Sequence, residues 1–205
     1  MSVQPAYAKS LCGTTIKTSV TLTANLTCTK GDKAGAAIKI GANSITLNCN
    51  GHVIQNTGDI NTGIFLYKRS HVTVENCHVE NFVFDGIYVD LGSHNTLTGN
   101  LLSGDDTFSD GCGGGEGGGI GLVASSSNTV TDNVASGSYC QGFSVVSGSS
   151  NTLSGNVAAS NVLYGFSDFT AGSGTAGTAN TYTSNTCLAD SNNGGGAQSS
   201  PVGLC

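Results

Sequence analysis

The feature that most constrains the fold is a short segment that occurs six times along the chain and ends on asparagine or cysteine. A glycine comes after each of the first five segment ends, and these glycines form a second repeated column. Its members are 23, 33, 23 and 23 residues apart, and each of the first four lies 14 residues before the next segment end. A repeat of this length predicts a solenoid in which each repeat forms one coil. The segment ends are Asn50, Cys77, Asn100, Asn133, Asn156 and Asn185, and the glycines are Gly63, Gly86, Gly119, Gly142 and Gly165.

Apolar residues keep the same register and alternate with small or polar residues. One lies three positions before each segment end, as Leu97 and Val130 do, and another directly follows each glycine, as Ile64 does. A period of two is typical of half-buried strands, so each coil should hold at least two short strands joined by turns. The composition argues against a helical bundle, because 31 of the 205 residues are glycine and only 10% are charged.

These repeats resemble a known family. The stretch Thr46–Ile54, followed by coils that end on asparagine and strands that begin Gly-Ile or Gly-Phe, is similar to the right-handed parallel β-helix repeat family of pectate-lyase-like architecture. The resemblance covers about residues 44–192. It implies one all-β domain, a right-handed parallel β-helix of about six coils of 23 residues over 43–192. Residues 1–42 are the expected N-terminal segment and cap, and residues 193–205 the C-terminal tail or cap.

Charge and cysteine usage restrict the partners and the compartment. The net charge is −6 with only seven Lys and Arg, which argues against nucleic acid and anionic membrane surfaces as partners. No apolar stretch reaches the roughly 18–20 residues of a membrane span. Eight cysteines without a Cys-x-x-Cys motif favour disulfides over zinc, and therefore an extracellular or periplasmic protein. The segment 5–8 resembles the small-residue end of a secretion signal, with cleavage after Ala8.

The β-helix plan suggests a disulfide pairing. If each bridge joins neighbouring coils or closes an end, the pairs are Cys12–Cys28, Cys49–Cys77, Cys112–Cys140 and Cys187–Cys205. The sequence alone leaves other pairings open.

The first candidate site is a ten-residue insertion between Asn100 and Gly119. Its carboxylates could bind Ca2+ through oxygen ligands, or act as an acid and base pair on a glycosidic bond. The run 104–106 resembles part of the acidic signature of polygalacturonase-type β-helix hydrolases, although the Gly-His-Gly and Arg-x-Lys pieces of that signature are absent. The alternative is a solvated acidic turn. The candidate catalytic residues are Asp105, Asp106 and Asp110, and the candidate Ca2+ ligands are these three with Glu116.

The second candidate is a platform for sugar on the strands that follow the first glycines. Aromatic rings beside carboxylates suit carbohydrate, because a ring face packs on the C–H face of a pyranose. The alternative is ordinary packing of a tyrosine ladder. The candidate substrate-binding residues are Phe65, Tyr67, Asp85, Tyr88 and Asp90.

The third candidate is a basic cluster of Lys68, Arg69 and His71, with His94 in the same column one coil later. A β-eliminating lyase needs cations that neutralise a uronate and a base that removes a proton, and these side chains supply both. The alternative is a solvated turn.

Together these features predict an exported β-helix protein that binds or acts on polysaccharide, of lyase, epimerase or hydrolase type. The site would lie beneath the 103–116 loop and along the aromatic strand. The alternative is a non-catalytic surface, matrix or self-associating β-solenoid, because such repeats occur in proteins of many functions.

Overall fold

The computed structural model of the protein describes residues 11–107, 112, 117–190 and 198–205. These residues wind through about seven turns of a parallel β-solenoid. The prediction of an all-β, right-handed parallel β-helix is confirmed, with about one turn more than expected. The extra turn lies in residues 11–42, which already form strands although they lack the asparagine and glycine columns.

Each complete coil contributes one strand to each of three parallel sheets, named A, B and C and numbered here in chain order. Sheet A contains β1 (Thr14–Ile16), β4 (Ala36–Ile40), β7 (Thr62–Tyr67), β10 (Asp85–Asp90), β13 (Gly118–Val123), β16 (Gln141–Val145), β19 (Tyr164–Asp168) and β22 (Ser199–Ser200). Sheet B contains β2 (Val20–Thr21), β5 (Thr46–Asn48), β8 (Thr73–Glu75), β11 (Thr96–Thr98), β14 (Thr129–Thr131), β17 (Thr152–Ser154) and β20 (Thr181–Thr183). Sheet C contains β3 (Leu26–Cys28), β6 (Val53–Asn56), β9 (His78–Glu80), β12 (Leu101–Ser103), β15 (Val134–Ser136), β18 (Val157–Ala159) and β21 (Thr186–Leu188). A 3-10 turn spans Thr175–Gly177.

The core consists of like residues that stack from coil to coil. Leu97 pairs in register with Val74 on one side and Val130 on the other, and all three are fully buried. Phe143 and Phe166 stack at 4.6 Å between ring centres. Each such side chain contributes roughly 1.5–3 kcal/mol by leaving water.

Two ladders of buried asparagines border sheet B. In the first, Asn128 Oδ1 accepts hydrogen bonds from the backbone N–H and the side-chain Nδ2 of Asn95, at 2.9 and 3.0 Å. Asn151 Oδ1 and Asn180 Oδ1 each accept the same pair of hydrogen bonds from the asparagine of the preceding coil. The second ladder runs parallel to the first on the other side of the sheet. The asparagines that recur in the sequence repeat are therefore structural. The second ladder comprises Asn100, Asn133, Asn156 and Asn185.

The glycine column has a different role from the turn glycines. Its members lie at the strands of sheet A without a positive φ. A Cβ on Gly63 would lie 2.5 Å from the carbonyl oxygen of Gly86, and one on Gly119 would lie 2.7 Å from that of Gly142. These glycines therefore allow successive coils to approach, while left-handed turn positions are taken by residues such as Gly99.

Four disulfides brace the solenoid, and no cysteine is free. They join Cys12–Cys28, Cys49–Cys77, Cys112–Cys140 and Cys187–Cys205, the same pairs that adjacency in the β-helix suggested. Cys112–Cys140 ties the insertion to the following coil. Across the described residues, no helix is both long and apolar enough to cross a membrane.

Candidate functional site

The outer face of sheet A carries cationic, aromatic and small polar side chains. Its central column runs from coil to coil through register partners, and its members alternate with core residues such as Ile87 and Val89. Side chains in this column therefore point away from the core. The column consists of Lys39, Phe65, Tyr88, Gly121, Ser144 and Ser167.

Three aromatic rings stack on the first part of this face. The rings of Phe65 and Tyr88 lie 5.5 Å apart with a 19° angle between their planes. Tyr67, on the same strand as Phe65, adds a third ring at 6.1 Å. All three side chains are half-buried, so the structure brings the predicted aromatic residues together on a surface that solvent reaches.

Cations surround the stack. Lys39 Nζ lies 5.7 Å from the centre of the Phe65 ring, and Lys68 Nζ lies 5.0 Å from that of Tyr67. Arg69 Nε donates a hydrogen bond to the Tyr67 carbonyl at 2.9 Å. Such cation–ring contacts hold the charges beside the rings.

Lys17 extends this cluster by one coil. It follows β1, and its Cγ lies 3.2 Å from where a Gly41 Cβ would be. Four of the seven Lys and Arg of the chain therefore lie in or just after the sheet A strands of three successive coils, in a protein of net charge −6. We call this surface the aromatic–cationic patch; it comprises Lys17, Lys39, Phe65, Tyr67, Lys68, Arg69 and Tyr88.

The two predicted carboxylates of this sheet lie at opposite ends of one strand. Asp90 pairs in register with Tyr67 and is half-buried beside the patch. Asp85 begins the strand and is only 4% exposed. Its Oδ1 lies 2.9 Å from where a Gly121 Cβ would be, so it also projects onto the outer face. The two residues are about 17 Å apart along the strand, given about 3.3 Å per residue.

Asp105 belongs to a third ladder instead of an open loop. Its Oδ1 accepts the N–H of Phe82 at 3.0 Å, as Asn161 Oδ1 accepts the N–H of Ser138 at 3.0 Å. Its Oδ2 lies 2.5 Å from where a Gly86 Cβ would be, and Asn161 Nδ2 lies 2.8 Å from the corresponding atom of Gly142. Asp105 therefore occupies a ladder position that asparagine fills two coils later.

The surroundings of Asp105 favour its protonated form. It is 0% exposed, and Oδ2 has no hydrogen-bond partner among the described residues. Burial raises the pKa of the Asp105 carboxyl well above its ordinary value, and the nearby charges of Asp85, Glu80 and Asp106 act in the same direction. A protonated carboxyl carries no charge, as the asparagine amide at the equivalent position carries none. Asp105 is thus sealed from substrate and from solvent cations in this structure.

Of the other predicted Ca2+ ligands, the structure describes Asp106 alone. Asp106 is 4% exposed. It lies with Cys112 and Cys140 so that one atom of each is within 4.8 Å of the others, but both sulfurs are joined in the disulfide and are not thiolate ligands. Asp110 and Glu116 lie outside the described residues.

His71 and His94 form an exposed pair at the turn after β7 and β10. Their rings stack at 5.2 Å with a 4° interplanar angle. This turn follows the end of the sheet A strands, whereas Asp105 and Asp106 precede β13. The acidic and basic catalytic candidates are thus separated by the length of a strand and do not form one site.

A separate polar cluster lies on the outer face of sheet C. His78 Nε2 is 3.3 Å from Glu80 Oε2 and 3.4 Å from Ser103 Oγ. Because the same nitrogen faces both partners, the imidazole does not relay a proton from the hydroxyl to the carboxylate. This arrangement therefore lacks the geometry that activates a serine nucleophile.

Sequence reasoning missed three polar residues of sheet A and the role of Asp105. Gln141, Ser144 and Ser167 occupy outward positions equivalent to those of Asp85, Phe65 and Tyr88. For Ser144 and Ser167 the strand register contained this signal, because the outward column lies two positions after each glycine of the repeat.

Comparison with known families agrees with this architecture. The profile of the family described as a right-handed β-helix region matches residues 10–158, well over half of the chain. The chain belongs to the right-handed β-helix family. No curated protein and no solved structure matches it. Since β-helix proteins share a fold and not one activity, the function of this β-helix protein has to be argued from its surface.

Proposed function

We propose that this β-helix protein binds acidic polysaccharide through the aromatic–cationic patch. The observation that supports this proposal is that Lys39 and Lys68 lie over two of three stacked aromatic rings, with Arg69 next to Lys68. Lys17 lies one coil before Lys39. A chain of net charge −6 would be expected to disperse its few cations, so their proximity favours an anionic ligand at this place.

The two kinds of side chain suit two parts of a uronate polymer. Half-buried rings of Phe65 and Tyr67 offer apolar surface to the C–H groups of a sugar ring. Lysine and arginine side chains form charge-assisted hydrogen bonds with carboxylates, and a guanidinium such as that of Arg69 can do so with two parallel bonds. The register places successive patch residues one coil apart, about 4.8 Å, along the axis of the solenoid.

An exported location agrees with this proposal, because four disulfides are typical of proteins that function outside the reducing cytosol. If the protein also acts on its ligand, the catalytic groups would be those beside the patch. Lys68 or Arg69 would neutralise the uronate, and His71 or Asp90 would accept the proton in a β-elimination. Asp105 is not part of this proposal, since it lies within a ladder.

The test is calorimetric titration of the protein with an oligogalacturonate and, separately, with an uncharged xylo-oligosaccharide. Binding of the oligogalacturonate should be lost in the double variant Lys68→Ala/Arg69→Ala. A matched variant, Lys30→Ala/Lys33→Ala, removes two exposed cations elsewhere and should bind as the wild type does. Equal binding of both glycans, or equal loss in both variants, would refute the proposal. Ultraviolet absorbance of the same mixtures reports any unsaturated product and so separates binding from lyase activity.

A further inference from the structure

The outer face of sheet B differs from those of the other two sheets in its uniformity. Its first outward column holds a threonine in six successive coils, paired in register from strand to strand. The second column, two residues further along each strand, holds Asn48 and Glu75 and then hydroxyl side chains in the last four of these coils. We call the threonines and these hydroxyl residues the threonine array. It consists of Thr46, Thr73, Thr96, Thr129, Thr152 and Thr181 in the first column, and of Thr98, Thr131, Ser154 and Thr183 in the second.

The preference of threonine for strands does not explain this uniformity. That preference acts on the outward positions of all three sheets alike. Yet the central column of sheet A contains no threonine from Lys39 to Ser167. The first outward column of sheet C is mostly apolar and contains a single threonine over the same coils. It consists of Val53, His78, Leu101, Val134, Val157 and Thr186.

The threonine array is open to solvent and uncharged. Thr129, Thr152 and Thr181 are exposed, and the first three threonines of the same column are half-buried. Among the described residues, no hydroxyl of the first column forms a hydrogen bond, so each is free to bond to a ligand. In the second column, Thr131 Oγ1 donates a hydrogen bond to Thr98 Oγ1 at 3.1 Å. A ligand therefore reaches the array without any rearrangement of the fold.

The two asparagine ladders fix the spacing of the array. Sheet B lies between them, and their hydrogen bonds keep nearly the same length from coil to coil, 2.9–3.1 Å. Side-chain ladders of this kind oppose the twist of a many-stranded sheet. The hydroxyls therefore repeat at about 4.8 Å along the solenoid axis and at about 6.6 Å along each strand. Threonine itself adds rigidity, because its β-branched side chain is restricted at χ1.

We propose that the threonine array is an ice-binding surface, a function that goes beyond polysaccharide binding and uses a different face of the solenoid. The prism faces of hexagonal ice present oxygen atoms in rows with comparable repeats in two directions. A hydroxyl offers one donor and two acceptors, so it can replace a water molecule of that lattice. The array from β11 to β20 carries no charge, which suits a neutral lattice, and its rigid side chains lose little freedom on binding. A crystalline glycan is a poorer match, because sugar faces pack on aromatic rings and the array has none.

The experiment measures adsorption of the protein to ice. Ice is grown slowly in a dilute solution of the protein, and the protein concentrations of the ice and of the remaining liquid are compared. The wild type should be enriched in the ice. Thr129→Lys places a long charged side chain at an exposed position in the middle of the array, and this variant should be excluded from ice as serum albumin is. The matched control Thr27→Lys makes the same change at an exposed threonine of sheet C and should be enriched as the wild type is.

Three results would overturn the proposal: exclusion of the wild type from ice, enrichment of Thr129→Lys to the level of the wild type, or an equal loss in Thr27→Lys. The melting temperatures of all variants should equal that of the wild type. If Thr129→Lys melts lower, Thr152→Lys repeats the test one coil further on. Other occupants of the face are separate outcomes. Sedimentation with crystalline cellulose, or dimer formation, that Thr129→Lys abolishes while the wild type stays out of ice would reject ice and assign the array to a glycan crystal or to a second copy of the chain.

Discussion

Asn133 Oδ1 accepts two hydrogen bonds from Asn100 of the preceding coil, one from the backbone N–H and one from the side-chain Nδ2, both at 2.9 Å. The Nδ2 of Asn133 in turn donates to the carbonyl of Leu97 at 2.9 Å. This exchange is repeated along both borders of sheet B. It keeps successive coils in register where a turn would otherwise leave backbone groups unsatisfied.

The first prediction concerns this ladder. Asn133→Ala should lower the free energy of unfolding by about 2–3 kcal/mol, because the N–H and Nδ2 of Asn100 lose their acceptor in a buried place. Urea unfolding followed by circular dichroism measures the change. The exposed Thr152, replaced by alanine, serves as the control and should stay within about 0.5 kcal/mol of the wild type. Equal stability of Asn133→Ala and the control would show that the ladder does not hold the coils.

The second prediction concerns Asp105. Because its folded-state pKa is raised, the stability that it contributes is present below the ordinary carboxyl pKa and is lost as the pH rises through the folded pKa. Asp105→Asn stays uncharged at every pH. The variant should therefore match the wild type in acid and melt at a higher temperature at neutral pH and above.

Thermal unfolding across this pH range measures the difference. Asp132→Asn, which changes an exposed carboxylate at the turn after β14, is the matched control and should show no such pH-dependent gain. If Asp105→Asn were less stable than the wild type at neutral pH, the ladder interpretation would be wrong. Asp105 would then be a buried carboxylate that is stabilised by a specific charged partner.

The third prediction concerns Cys49–Cys77, which joins neighbouring coils across 28 residues of sequence. Replacing both cysteines by alanine should lower the free energy of unfolding by about 3–4 kcal/mol, mainly because the unfolded chain gains freedom. Chemical unfolding without reductant measures this loss. A wild-type sample treated with reductant should lose at least as much, since its other bridges are also broken. A change below about 1 kcal/mol would contradict the prediction.

The fold was largely predictable from the sequence because the same residue types recur at the same position in successive coils. Leu97, Val74 and Val130 share a position in the register, and that register alone predicts that they stack. The N-terminal turn was not predictable in this way. Strand β1 pairs with β4 through Ile16 and Ile40, outside the asparagine and glycine columns.

The candidate sites were predictable in part. Phe65 and Tyr88 are 23 residues apart, so their stacking follows from the coil length. The ladder position of Asp105 was overlooked because the residue adjoins an acidic insertion, although Phe82, Asp105, Ser138 and Asn161 repeat the spacings 23, 33 and 23 of the asparagine ladder. The burial of Ser144 was not predictable, because its place in the outward column of sheet A predicts an exposed side chain.

The most direct test of the central claim, that the aromatic–cationic patch binds acidic polysaccharide, is a crystal structure of the protein with an oligogalacturonate. The account predicts electron density along the outer face of sheet A, with a sugar ring against Phe65 or Tyr67 and a carboxylate paired with Lys68 or Arg69. Density confined to another surface, such as the His78 cluster on sheet C, or no density at saturating ligand, would contradict it.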